Sequence, residues 1–335
     1  MIGKLIRYVS VHRRLPSLDN WRKRRRPAMV LPATLQMEPT VACNFRCRFC
    51  PNSEVNRPGI GGPRHMPLSL FKKIVDEVPT LTEIKLQGLG EPLLCPDLRA
   101  MMAYGHGKGI VFNVISNGTL VRTKLPELMP FLRRFVISFD TFNQRWADQN
   151  KAGFDVARCK ADVQEMVSIR RRSNLKCVVG ITTVVTHENV EEIPEVLRFA
   201  AQAGVDYAGF VAVENWKIPG ESGFDEANQY AAKARQVVSM ERIKALYDKE
   251  GYAFQLGLQD FSLRKSACYW MFDSAYITFD GHVTPCCVRP NRQIFSLGNV
   301  ATTSFADVWN GKAAQEFRKT HLEKTPNPIC DRCPW

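Results

Sequence analysis

The chain has 335 residues, 45% of them hydrophobic and 24% charged, a composition that suits one large globular domain and a small one. No apolar run reaches the roughly eighteen residues that span a bilayer, and no apolar stretch with a small-residue cleavage site opens the chain, which argues against a membrane-spanning or secreted protein. The net charge is +13, and the 11 cysteines, an odd number held mostly in two groups, point to reduced thiolates in the cytoplasm and not to a disulfide framework.

Residues 1–33 form a basic N-terminal extension. Residues 1–26 hold nine Lys or Arg, including Arg22-Lys23-Arg24-Arg25-Arg26, against the single Asp19, so the segment carries +8. Ile2, Leu5, Ile6 and Val9 fall at helical spacing among Lys4, Arg7, Arg13 and Arg14, which predicts a short basic amphipathic helix over residues 2–14. Such a helix suits peripheral contact with an anionic inner membrane face. It equally suits a solvated basic face that packs on the neighbouring domain or meets an acidic redox partner. No nucleic-acid recognition motif accompanies the basic run.

Residues 34–213 alternate short apolar runs with helical stretches, the pattern of parallel strands joined by crossover helices in an α/β fold. Six strands are predicted: Thr34 to Glu38, Glu83 to Gln87, Val111 to Ile115, Phe135 to Phe139, Cys177 to Val184 and Tyr207 to Val211. Amphipathic helices are predicted at Leu68 to Val78, Asp155 to Arg172 and Val190 to Ala203, the last ended by Gly204. After the first strand comes Cys43-Asn44-Phe45-Arg46-Cys47-Arg48-Phe49-Cys50. Three thiolates on one loop can hold three irons of a cubane and leave the fourth open to an external ligand. A zinc site or buried structural thiols are the competing readings.

The C-x3-C-x2-C spacing, the aromatic Phe49 before the third cysteine and the preceding Gln36-Met37-Glu38-Pro39-Thr40 resemble the opening of a radical S-adenosylmethionine (radical SAM) enzyme. The resemblance implies a partial (β/α)6 barrel over residues 34–213, with Cys43, Cys47 and Cys50 holding a 4Fe-4S cluster whose open iron binds SAM. Gln87-Gly88-Leu89-Gly90-Glu91-Pro92 is similar to the family's Gly-Gly-Glu motif, with Leu89 in place of a glycine. By that likeness Gly88, Gly90 and Glu91 hold the methionine amino group of SAM. Ser116-Asn117-Gly118 resembles a Thr-Asn-Gly segment near the cofactor, which implicates Asn117. Ser138, with Asp140, resembles the ribose-contacting position, and Phe49 would pack on the adenine. Taken singly, turn chemistry and core packing account for these residues as well.

Residues 214–267 read as a linker and helical region, with a loop over Ile218 to Gly223 and a helical stretch over Asp225 to Glu250. Residues 268–335 hold Cys268, Cys286, Cys287, Cys330 and Cys333, a hairpin turning at Asp280-Gly281, and a strand running into a helix capped by Ser304. The arrangement resembles the twitch form of the SPASM module, a small β-hairpin plus helix iron-sulfur unit. It implies an auxiliary 4Fe-4S cluster on Cys268, Cys286, Cys330 and Cys333, with Cys287 a spare thiol or a replacement for Cys286.

The same resemblance implies reductive cleavage of SAM to a 5′-deoxyadenosyl radical that abstracts a substrate hydrogen atom, with the auxiliary cluster accepting an electron in a dehydrogenation. A flavodoxin or ferredoxin would supply the electron. The cysteine spacing is similar to that of twitch aminocyclitol dehydrogenases and aminoglycoside epimerases, a likeness that bears on mechanism more than on substrate; the short segment before the barrel is what favours a small polar or lipid-linked substrate over a peptide. An epimerase would need a hydrogen donor, for which Cys95, Cys159, Cys177 and Cys287 are uncommitted, though each suits a buried apolar position. Peptide maturation is a third outcome, disfavoured because 33 residues ahead of the barrel are too few for a recognition domain. A non-catalytic two-cluster electron carrier would have no use for an open iron.

Overall fold

The computed structural model describes residues 30–52, 64–217, 222–258, 268, 270–323 and 327–330. The helix expected over residues 2–14, part of the loop after Lys217, and Cys333 lie outside them.

Six strands stand where the alternation placed them: β1 (Thr34–Met37), β2 (Glu83–Leu86), β3 (Val111–Ser116), β4 (Leu132–Ser138), β5 (Val178–Val185) and β6 (Tyr207–Ala212). Each pairs in parallel with the next. Leu35, Met37, Ile84, Leu86, Phe112, Val114, Phe135, Ile137, Val179 and Ile181 recur at the two-residue strand period, and none is more than 1% exposed. They join a core with the crossover helices, which include α1 (Leu68–Glu77), α2 (Leu98–His106), α3 (Val121–Leu128), α4 (Gln144–Asn150), α5 (Val156–Ser173) and α6 (Ile193–Ala203). Asp155 caps α5 by accepting from the Arg158 amide at 2.7 Å, and Gly204 ends α6 at a φ of 74° that a side chain would resist.

Strand β4 begins three residues earlier than expected. Arg133 and Arg134 hide its start in the sequence, but Arg133 reaches Glu83 at 2.9 Å and Arg134 lies over the Tyr207 ring at 4.7 Å. The register between β3 and β4 slips at Phe112 and Asn113 to take in the extra length.

Two further expectations are corrected. The helical stretch over 225–250 is two helices, α7 (Phe224–Val237) and α8 (Met240–Glu250), because Ser239 is extended and its hydroxyl accepts from the Arg242 amide at 3.2 Å. The region read as a linker also supplies β7 (Gln255–Leu258), a parallel neighbour of β6. Its Gly257 hid it from a strand pattern; the glycine is needed because the Tyr207 ring lies against it.

The C-terminal segment is not a separate sheet. Its strands β8 (Ser274–Ile277), β9 (His282–Thr284) and β10 (Gly298–Asn299) extend the barrel sheet, in the order β10-β9-β8-β1-β2-β3-β4-β5-β6-β7. The hairpin between β8 and β9 turns as expected at Asp280-Gly281, with Gly281 at φ 90°. Strand β8 lies parallel to β1, so the sheet stays open and mostly parallel. Helices α9 (Phe305–Asn310) and α10 (Lys312–Leu322) follow, and Ser304 caps α9 through the Asp307 amide at 3.1 Å.

Candidate cofactor and cluster site

Since β1 to β4 run parallel, their carboxyl ends share one edge of the sheet, the edge where α/β folds gather working residues. The cysteine loop follows β1 there. Its middle is pinned by a two-residue antiparallel ladder of Arg46 and Cys47 with Ala152 and Lys151, by Arg48 N donating to Asn150 O at 2.8 Å and by Cys50 N donating to Cys47 O at 3.1 Å. Phe45 is buried and meets Phe154 edge-on at 6.2 Å.

Burial pushes all three thiols up: Cys43 above its ordinary value, Cys47 to about 11 and Cys50 to about 12, with the neighbouring thiols adding to the shift at Cys47 and Cys50. Such thiols become thiolates when a metal takes the place of the proton. Among the described residues, no three His, Cys, Asp or Glu side chains are arranged to hold a single ion. A cubane spreads its thiolates over separate irons, and the donor set of three mutually interacting thiols fits that group.

The turn after β2 packs hard on the loop after β1. A Cβ on Gly88 would lie 2.6 Å from both Glu38 Cγ and Tyr276 Oη, and one on Gly90 would collide with the Thr40 and Ala42 carbonyls. Both positions therefore require glycine for close approach of backbone. Glu91, expected near the SAM ammonium, already accepts three hydrogen bonds from the protein. It is 2% exposed and accepts from Leu93 N at 3.0 Å, Ser116 Oγ at 2.8 Å and Asn117 N at 2.6 Å. Burial raises its pKa against these hydrogen bonds. Asn117 Nδ2 in turn donates to Asn44 Oδ1 at 2.7 Å, and Asn44 Nδ2 donates to Thr119 Oγ1 at 2.9 Å. A continuous chain thus runs from the β2 turn through the β3 turn to the residue beside Cys43.

After β4, Ser138 and Asp140 meet Lys151, which the sequence did not single out. Lys151 Nζ donates to Asp140 Oδ2 at 2.6 Å, Ser138 O at 3.0 Å and Ser138 Oγ at 3.1 Å, and lies over the Phe154 ring at 4.5 Å. Burial pulls the ammonium down, but Asp140 and the Cys47 thiol outweigh it and keep its pKa above the ordinary value. Phe49, expected on an adenine, stacks one face on Tyr230 of α7 at 4.7 Å and tilts against Trp146 at 6.4 Å. Arg48 reaches both the Phe49 and Tyr230 rings, at 5.9 and 5.7 Å. No local pattern marks Lys151 or Tyr230, since each matters only through contacts distant in sequence.

Of the second group, Cys268, Cys286 and Cys330 are half-buried. Cys286 Sγ accepts from the Arg289 amide at 3.2 Å, and the Arg289 guanidinium binds Ile329 O at 2.6 Å and Asn215 O at 3.3 Å. Arg289 so fastens the Cys286 loop to the residue before Cys330 and to the segment that follows β6. Cys330 Sγ lies 3.5 Å from His321 Nε2. Burial, followed by Cys286 and Cys268, holds the Cys287 thiol well above its usual range. Cys95, Cys159 and Cys177 are 3 to 5% exposed and lie in the core.

The radical SAM superfamily model matches residues 37–200, and that of the SPASM iron-sulfur cluster-binding domain matches residues 268–334. These domains imply a SAM-binding 4Fe-4S cluster, an auxiliary iron-sulfur cluster and SAM itself. The chain is 26% identical over 324 residues to the tungsten-containing aldehyde ferredoxin oxidoreductase cofactor-modifying protein of Pyrococcus furiosus, covering 89% of this chain and 86% of that one. It is 24% identical to the PqqA peptide cyclase of Granulibacter bethesdensis, covering 90% and 80%. In fold it resembles SuiB of Streptococcus suis bound to precursor peptide SuiA, with a TM-score of 0.68, 14% identity, and coverage of 94% of this chain and 76% of that one.

Proposed function

Since the chain is a radical SAM superfamily member with a C-terminal SPASM domain, we propose that it is an oxidoreductase that uses SAM cleavage to abstract a hydrogen atom from its substrate. The observation that carries this reading is the hydrogen-bonded chain Glu91, Ser116, Asn117, Asn44, which clasps the turns after β2 and β3 onto the cysteine loop. Cys43, Cys47 and Cys50 hold the SAM-binding cluster, and Cys268, Cys286, Cys330 and Cys333 hold the auxiliary one. Together the two clusters supply low-potential electron delivery to SAM and one-electron oxidation of the substrate.

The protein's own residues bind and orient. The backbone of Gly88 to Gly90 receives the methionine end of SAM, and Glu91 works through the Asn117 amide and the Leu93 amide to keep that turn in shape. Ser138 offers its hydroxyl toward the ribose, with Lys151 and Asp140 fixing its place. Phe49, stacked on Tyr230 and tilted against Trp146, is the ring that would pack on the adenine. A flavodoxin or ferredoxin is the electron donor. The substrate is a small polar molecule, sugar-like or aminocyclitol-like, or a lipid-linked one. Among the described residues, no helix is long and apolar enough to cross a membrane.

Peptide modification is the second reading. It is favoured by the similarity in sequence to a peptide cyclase and in fold to an enzyme solved with its precursor peptide.

The test is anaerobic reconstitution with iron and sulfide, reduction in the presence of SAM, and an assay for 5′-deoxyadenosine beside a Cys43→Ala, Cys47→Ala, Cys50→Ala variant. About eight irons per chain, with 5′-deoxyadenosine formed only by the parent, is the expected result. Two clusters without SAM cleavage would refute the catalytic reading and leave electron transfer as the function.

A further inference from the structure

One buried pair joins the C-terminal segment to the turn after β2. We propose that Tyr276 and Glu38 form a positioning relay through which the C-terminal segment holds the Gly88-Leu89 turn in the shape that binds SAM. The relay deepens the function proposed above and rests on that reading of the turn.

Strand β8 lies along β1 with Tyr276 opposite Gln36 and Ile277 opposite Met37, and Glu38 N donates to Ile277 O at 2.9 Å. This pairing carries the Tyr276 ring to the carboxyl end of β1. Tyr276 and Glu38 are each 1% exposed. The Tyr276 hydroxyl donates to Glu38 Oε1 at 2.9 Å, and the same oxygen accepts from Leu89 N at 2.8 Å. Glu38 Oε2 accepts from Phe279 N at 3.4 Å.

Among the described residues, two of the three donors to this carboxylate belong to the C-terminal segment, and the third is an amide of the turn. A buried carboxylate is held only as well as its donors hold it. Gly88 adds a steric link, since its backbone presses on both Glu38 and Tyr276 with no room for a Cβ. Burial and the Glu38 carboxylate raise the Tyr276 hydroxyl well above its ordinary range, and the Cys287 and Cys50 thiols add to this. Placement of the turn after β2 depends on β8 being docked beside β1.

The experiment compares the full chain with Tyr276→Phe and Glu38→Gln after anaerobic reconstitution. SAM affinity is read from the change in the electron paramagnetic resonance spectrum of the reduced cluster on SAM addition. Iron content and hydrogen-deuterium exchange of residues 87–91 are measured on the same samples. The relay predicts SAM binding weakened about tenfold in each variant, with faster exchange at 87–91, unchanged iron content and an unchanged rate of 5′-deoxyadenosine formation at saturating SAM.

Parental affinity and parental exchange in both variants would overturn it. So would weaker binding with no change at 87–91, because the effect would then bypass the turn, or loss of iron in both variants. If Tyr276→Phe does not fold, Glu38→Gln decides by the same readouts. A parent that fails to bind SAM at all would instead refute the proposed function, and exchange at 87–91 would still decide the relay.

Discussion

Replacing Lys151 by Met removes one half of a buried ion pair whose side chains are 6% and 8% exposed and whose charged atoms are 2.6 Å apart. At an effective dielectric near 20 that separation gives about 6 kcal/mol of gross attraction, set against a desolvation cost of several kcal/mol for each ion. The pair as a whole thus contributes little net stability. Taking one partner away is different, since it strands the other charge in the interior at a cost of about 3–5 kcal/mol. Asp140 would retain the Val184 amide at 2.8 Å as a donor, which favours the lower end of that range.

The assay is urea unfolding of the anaerobically reconstituted protein, followed by circular dichroism, for Lys151→Met, Asp140→Asn and the double variant. Each single change is expected to cost about 3 kcal/mol. The double change is expected to cost clearly less than either single change, because neither charge is left stranded, which gives a coupling of at least about 3 kcal/mol. Single changes costing under about 1 kcal/mol, or a double change equal to the sum of the two, would refute the account of this site as a mutually dependent buried pair.

Burial, opposed by the Leu89, Tyr276 and Phe279 hydrogen bonds, raises Glu38 from 4.5 to about 7. The folded state then holds a proton that the unfolded state has lost, so this group's contribution falls as pH rises from 4.5 and is gone above about 7, a loss on the order of 3 kcal/mol. In Glu38→Gln the dependence of unfolding free energy on pH should flatten in that window, and an unchanged slope would count against the assignment. Gly90→Ala forces a methyl group onto the Thr40 and Ala42 carbonyls and should lower stability in chemical denaturation by about 1–3 kcal/mol. Ser239→Ala removes the cap that starts α8 and should cost about 1 kcal/mol in the same measurement while leaving iron content at the parental level.

Periodicity and turn chemistry made much of this fold legible. The strands β1 to β6 alternate at period two, α5 and α6 announce their ends with Asp155 and Gly204, and the hairpin turns at Asp280-Gly281. These are local signals, set within a few residues by sterics and by hydrogen bonding of the backbone. They located the cysteine loop after β1 and the three turns after β2, β3 and β4. They missed β7, whose Gly257 is filled by a ring 50 residues earlier in the chain, and the break at Ser239 inside an otherwise helical pattern.

What the sequence by itself determined is the order of the elements and the chemistry available at each strand end: three thiols on one loop, a second set near the C-terminus, and polar turns between. The tertiary structure alone decided how those ends meet. Docking of β8 beside β1 brought Tyr276 to Glu38 across 238 residues, and the crossover of α4 brought Lys151 to Asp140. It also turned Glu91 inward onto Ser116 and Asn117. Such partners are chosen by burial, because a polar group carried into the interior must find a donor or acceptor wherever the packed chain supplies one, and no local pattern records which distant residue that will be.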